Sequence, residues 1–322
     1  VDAPSSDRLA ASLQERPFDL EEWVEGSKLT EETVLYLAYG SNLSKETFRG
    51  KRGIKPLAQL NVQVPSLRLT FDLPGLPYDE PCFANTSRRD SDTASQSPPQ
   101  VRGDENTPLL RLGENPGRYR KDRWHKGLVG VVYEVTAQDY AHIIATEGGG
   151  SSYRDILVDC HPFESKDPTD SVPQYPTTSP FKAHTLFAPA ATSDLDSPKT
   201  ADRLSRPDTS YAQASARYLK LLTDGADELG LPYEYQDYLR SLRPYTITSA
   251  RQRVGHFVFL ALWGPIVGLV FTLGRLFVDD KGRMPKWMQQ FMAAMFQAMW
   301  NNYDSFFKPT FGDGERSISD GG

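Results

Sequence analysis

Cysteine is nearly absent from this chain, with Cys82 and Cys160 the only two in 322 residues. They have neither the paired spacing of a metal site nor the density of a disulfide scaffold, so both read as reduced thiols. Histidine is almost as scarce. His125, His142, His161, His184 and His256 never sit beside cysteine or carboxylate at metal-ligand spacing, so no metal and no cofactor is expected. Positive charge is in deficit: 36 Lys and Arg against 42 Asp and Glu leave a net charge of −6 and a pI near 5.5. That supplies no broad basic surface and argues against a nucleic-acid partner. Ser41 lacks a Gly-x-Ser-x-Gly elbow, which removes support for a serine hydrolase. The stretch Val1 to Arg16 has no apolar run, so no secretory signal is expected in it.

What is present is enough apolar sequence, 39% of residues, for one large domain or two small ones. Residues 1–32 read as a leader with a short amphipathic piece from Phe18 to Trp23. Residues 33–245 carry the main domain. Strand patterns run over Val34 to Ala38, Val62 to Phe71, Leu128 to Val135, Arg154 to Cys160 and Phe181 to Phe187. Thr136 caps a helix over Ala137 to Thr146, and Tyr211 to Leu222 reads as an amphipathic helix. Short strands with few helices predict an α+β fold, a compact mixed β-barrel. Two polar insertions, near 87–126 and 162–210, the second interrupted by the Phe181 to Phe187 strand, lack periodicity and read as disordered surface loops. Within the first, Arg118, Arg120, Lys121, Arg123, His125 and Lys126 form a basic run that is either a solvated face or a contact for an anion or lipid.

The segment richest in chemical meaning is Tyr36-Leu37-Ala38-Tyr39-Gly40-Ser41-Asn42-Leu43, an apolar strand entering a small, amide-rich turn. Such a turn offers backbone N–H groups to a carboxylate or oxyanion, although the local pattern alone also fits an ordinary strand and turn. Downstream, Glu147 follows the predicted helix and precedes Gly148-Gly149-Gly150. The negative end of a helix dipole disfavours its ionised form, which suits a carboxyl that moves protons near neutral pH.

Tyr-Gly-Ser-Asn-Leu after an apolar strand resembles the γ-glutamylcyclotransferase family. Three further stretches stand in the family's order: Gly127 to Val135, Thr146-Glu147-Gly148-Gly149, and Gly225-Ala226-Asp227-Glu228-Leu229-Gly230-Leu231-Pro232. Together they cover about Val34 to Leu242. The resemblance implies release of 5-oxoproline: the free α-amine of a γ-glutamyl group attacks its own γ-carbonyl, closes a lactam and expels an amine. Nucleophile and electrophile share one molecule, so the protein must fold the substrate, polarise the carbonyl and move protons, with no covalent nucleophile or metal required. It further implies that Glu147 is the catalytic carboxyl. By the same resemblance Tyr36, Leu37, Ala38, Tyr39, Gly40 and Ser41 bind substrate, Asn42 joins them as a candidate through the turn's backbone, and Tyr153 and Tyr218 line the pocket. The rivals are a γ-glutamylamine cyclotransferase and a non-catalytic membrane-bound module for amino-acid conjugates.

Beyond the family's compact core lies a tail, 250–308. Val254 to Gly274 contains one titratable residue, His256, and is just long enough to span a bilayer, which predicts a membrane helix over 254–277 and an amphipathic helix over 285–303. A long helix buried against the barrel is the alternative. Basic residues flank both ends, so charge does not fix orientation. The expectation is membrane association with the main domain in the cytosol, or otherwise a cytoplasmic protein. The tail and long loops are similar to fungal members of sulfur-containing toxin pathways, where γ-glutamyl groups leave glutathione adducts.

Overall fold

The computed structural model describes residues 2–18, 32–89, 121, 123–146, 154–188, 206–277 and 285–317. Five strands close into a barrel: β1 (Thr33–Ala38), β2 (Ala58–Val64), β5 (Leu128–Thr136), β6 (Arg154–Pro162) and β7 (Phe181–Phe187), in the order β1-β5-β2-β6-β7. All neighbours are antiparallel except β1 and β7, whose parallel contact at Tyr36 and His184 shuts the barrel. β5 lies between β1 and β2. Its near-continuous apolar run follows from that position, since Val129, Val131, Val132 and Val135 are all fully buried.

The expected β stretch from Val62 to Phe71 is two strands broken at Pro65-Ser66. β2 stays in the barrel and β3 (Leu67–Leu76) pairs with β4 (Glu80–Arg88) as a separate hairpin, whose turn puts Tyr78 at φ 66°. The helix over 137–146 is present as α2 (Ala137–Thr146), capped by the Thr136 hydroxyl. The helix expected over Tyr211 to Leu222 is displaced to α3 (Ala216–Glu228). Ser215 caps it by accepting from the Tyr218 N–H, and the residues before it extend to meet the C-terminal chain, with the Gln213 N–H bonded to the Glu315 carbonyl at 2.8 Å. α4 (Tyr233–Ser241) follows.

Residues 2–18 lie on the barrel. α1 (Ser6–Ser12) places Arg8 against the Thr33 carbonyl and Ser12 against the Lys182 N–H. Residues 163–180, inside the second expected insertion, are held by the Glu234 carboxylate, which accepts from the Val172 N–H at 3.0 Å, and by the Gln63 side chain, which donates to the Pro173 carbonyl. The chain ends in α5 (Ala250–Leu276), α6 (Lys286–Asn302) and α7 (Lys308–Phe311), around a second core of Tyr78, Phe259, Val270, Met299, Trp300 and Tyr303.

Candidate active site

β1 is core to its last residue. Tyr36, Leu37, Ala38 and Tyr39 are buried, and the Tyr39 hydroxyl donates to the Leu186 carbonyl at 3.0 Å. Gly40 and Ser41 are the first partly exposed residues, where the chain enters a 3₁₀ turn over Ser41–Leu43. The turn's own bonds use the N–H groups of Leu43 and Ser44, which meet the carbonyls of Gly40 and Ser41 at 3.0 and 3.1 Å. They leave the N–H groups of Gly40 and Ser41 out of that bonding, as at any helix start.

Asn42, for all its position in the motif, points inward at 4% exposure. Its amide donates to the Tyr36 hydroxyl at 2.8 Å, and its carbonyl oxygen accepts from Arg52 Nε at 2.9 Å. Arg52 then reaches the Thr146 hydroxyl with its other arm. Thr146 is the last residue of α2, so one guanidinium joins the strand-turn to the end of that helix. The charge also suits a helix C-terminus. Glu147 and Tyr153 lie outside the described residues.

Tyr218 comes to the same turn from α3. A Cβ built on Gly40 would sit 3.4 Å from its hydroxyl, which accepts from the Ala84 N–H at 3.1 Å. α3 approaches because Gly225 has no side chain: a Cβ there would stand 2.5 Å from the Leu43 carbonyl carbon and 2.6 Å from the Ser44 nitrogen. Helix backbone thus rests directly on turn backbone. A phenol hydroxyl and a partly exposed Gly-Ser step are brought together, while Tyr36, Leu37 and Ala38 could offer a ligand no exposed side chain.

Sequence reasoning missed the support beneath. His184 is bracketed by Asp155, 2.9 Å from Nδ1, and Glu15, 3.1 Å from Nε2. Burial pushes this imidazole down, but hydrogen bonds to Asp155 and Glu15 outweigh it and leave its pKa raised to about 9. Tyr140 donates to Asp155 and packs between Tyr36 and His184, with ring centroids 5.7 and 5.6 Å away. No local pattern links positions 15, 155 and 184. Arg52 was equally hidden, a single cation in a loop without periodicity.

The basic run divides where it is described: Arg123 and His125 are exposed, whereas two of its lysines are built into the structure. Lys121 is bonded to the Phe71 and Ala212 carbonyls, its pKa lowered by burial, and Lys126 pairs with Glu234 at 2.5 Å. Arg118 and Arg120 lie outside the described residues. Cys82 is buried, which pushes its thiol up to about 12, and Cys160 is buried likewise. A groove of about 780 Å³ between β2 and residues 163–178 contains none of the turn residues.

Comparison with known proteins follows the same lines. The γ-glutamyl cyclotransferase gliK of Aspergillus fumigatus is 31% identical over 283 residues, covering 88% of this chain and 89% of that protein. The γ-glutamyl cyclotransferase aclK of Aspergillus oryzae is 29% identical over 288 residues, covering 88% and 90%. Residues 249–310 match a family described as the AclK C-terminal domain. A solved γ-glutamyl cyclotransferase structure superposes with a TM-score of 0.42 at 18% identity, over 68% of this chain and 92% of that one.

Proposed function

Because this chain belongs to the γ-glutamyl cyclotransferase family, we propose that it is the enzyme that converts γ-glutamyl compounds, glutathione-derived adducts among them, to 5-oxoproline and a free amine. The substrate's α-amine nitrogen attacks its γ-carbonyl carbon, and the bond from that carbon to the leaving nitrogen breaks. Glu147 takes the proton the attacking nitrogen sheds and returns one to the departing amine. The backbone N–H groups of Gly40 and Ser41 face the substrate's carboxylate or developing oxyanion. The Tyr218 hydroxyl borders the same space.

The observation that carries this reading is the bridge from Asn42 through Arg52 to Thr146, the residue before Glu147. It links two motifs more than a hundred residues apart. The test measures 5-oxoproline and free amine by mass spectrometry across γ-glutamyl amino acids, γ-glutamyl amines, glutathione and glutathione conjugates. Glu147→Gln is expected to lower turnover by about 10²- to 10⁴-fold, the usual worth of a general acid-base group. Near-normal turnover in a folded Glu147→Gln protein would overturn the assignment. The C-terminal segment, in the same proposal, holds the enzyme at a membrane with the barrel on the cytosolic side; Ala250–Gly274 is long and apolar enough to cross one.

A further inference from the structure

The chain leaves the barrel domain at α5 and comes back to it after α6. At the outgoing root, Gln252 donates to the Asp313 carbonyl at 2.8 Å and Arg251 to the Pro309 carbonyl at 2.9 Å. At the returning root, the Tyr78 N–H meets the Gly314 carbonyl at 2.7 Å, and Gln213 exchanges bonds with Glu315 and Ser317. Arg206 grips Asp304 and Glu315 at 2.6 and 2.8 Å. Both ends of the pair are therefore pinned to one side of one domain. A lone crossing by α5 would leave residues 303–317 on the far side of a bilayer, severed from every one of these partners. Either both helices cross or neither does.

Crossing by both is opposed by what it would immerse. α6 has 17 residues, about 26 Å, and Gln290, Gln297 and Asn301 are exposed on its outer side. The connection between the helices contains Asp279, Asp280, Lys281 and Arg283, which would have to pass through hydrocarbon. α5, by contrast, has an uncharged outer face. Val254, Phe257, Val258, Leu262, Ile266 and Leu269 are exposed along it at helical spacing, while Phe259, Val267 and Val270 on the opposite side pack toward α6. Thr272, exposed farther along, turns its hydroxyl onto the Gly268 carbonyl at 2.7 Å. Arg251 and Arg253 flank one end, and Lys281, Arg283 and Lys286 outnumber the two aspartates beyond the other.

Resting on the membrane reading of the tail given above, we infer that α5 and α6 form a monotopic hairpin. It lies in the plane of one leaflet, with the outer face of α5 against the acyl chains and α6 above it. Arg253, exposed at the first turn of α5, meets anionic headgroups, and the enzyme sits on the surface with its whole chain on one side. An interfacial helix of this kind buries its apolar side chains about 5–10 Å deep.

The full chain is added to vesicles of equal parts phosphatidylcholine and phosphatidylserine and floated on a density gradient. The wild type is expected to float. A protein with Leu262→Asp, Ile266→Asp and Leu269→Asp is expected to lose at least about tenfold of the floated fraction while keeping its melting temperature and 5-oxoproline turnover. A second variant, Lys281→Cys, is exposed on floated vesicles to a membrane-impermeant maleimide, the two native cysteines being buried. Immediate labelling supports the in-plane hairpin. Labelling only after detergent means that the connection has crossed, which overturns the hairpin and leaves the membrane reading intact. Failure of the wild type to float overturns the membrane reading, and self-association through the same face, seen by light scattering, would assign the face to a second copy instead.

Discussion

Arg52 holds two things at once, the amide of Asn42 and the hydroxyl that ends α2. Its removal leaves a buried amide oxygen without that donor and loosens the helix end next to Glu147, so Arg52→Ala is expected to lower kcat/KM by about 10- to 100-fold, the worth of one charged hydrogen bond. Arg52→Lys should recover little, because an ammonium cannot fork to both partners. Steady-state kinetics beside a thermal melt tests this, and unchanged kinetics in both variants would remove Arg52 from the site. His184 makes a different kind of prediction. With two carboxylates on its ring nitrogens it is held as the imidazolium, its pKa raised from 6.5 to about 9. The stability it contributes is complete below about pH 6.5 and is lost as pH rises through about 9. Wild-type melting temperature should therefore fall across that window, while His184→Gln starts lower and stays flatter. Parallel profiles for the two proteins would show that the His184 charge is not what ties residues 2–18 to the barrel.

At the scale of the element, two glycines of one motif do separate jobs. Gly230 ends α3 in a Schellman turn at φ +60°, with the Leu231 N–H returning to the Ala226 carbonyl, and a Cβ there would touch nothing. Gly230→Ala should cost about 1 kcal/mol of stability from backbone strain alone, with turnover preserved. Gly225 stands against the backbone of Leu43 and Ser44. Gly225→Ala must push the turn away from α3, so it should cost about 1–3 kcal/mol and also raise KM. Calorimetry and kinetics on the pair separate the roles, and equal effects on turnover would show that α3 does not position the turn. This division explains what the sequence could disclose. β1, β5, β6, β7 and α2 were legible because each is decided locally, by apolar runs, β-branched residues and a Thr cap, whereas the stretch from Val62 to Phe71 hid the break at Pro65-Ser66 that sends β2 and β3 to different sheets. The boundary of α3 was not, because residues 211–215 are drawn into extended form by a chain segment a hundred positions away. The Gly-Ser step was legible as an exposed turn, whereas the inward aim of Asn42 depends on Arg52, which no periodicity marks.

For the molecule as a whole, the tail looked in sequence like an addition to a finished barrel, since hydropathy reports what a segment can do and not where its end returns. The fold joins them. Residues 312–317 stitch the β3–β4 turn at Tyr78 to the strand-like residues before α3: the Tyr78 hydroxyl donates to the Gly312 carbonyl at 2.7 Å, and the Tyr245 hydroxyl reaches the Asp313 carbonyl at 3.2 Å. Arg206 lies 4.2 Å from the Trp300 ring while its guanidinium binds Asp304 and Glu315. Burial pushes this arginine's pKa down, but the two carboxylates more than compensate. Removing everything after residue 249 would expose Tyr78, leave Gln213 without its Glu315 and Ser317 partners, and strip Arg206 of both acids. Such a truncation is expected to melt well below the full chain even in detergent. By contrast Arg206→Ala, which leaves the buried Glu315 still paired with Lys308 at 3.1 Å, should lower stability by about 1–3 kcal/mol, the worth of lost charged hydrogen bonds, and open the C-terminal segment to limited proteolysis. If the truncated chain instead melts with the full one and keeps its turnover, the C-terminal stitch is dispensable and the barrel is an independent unit.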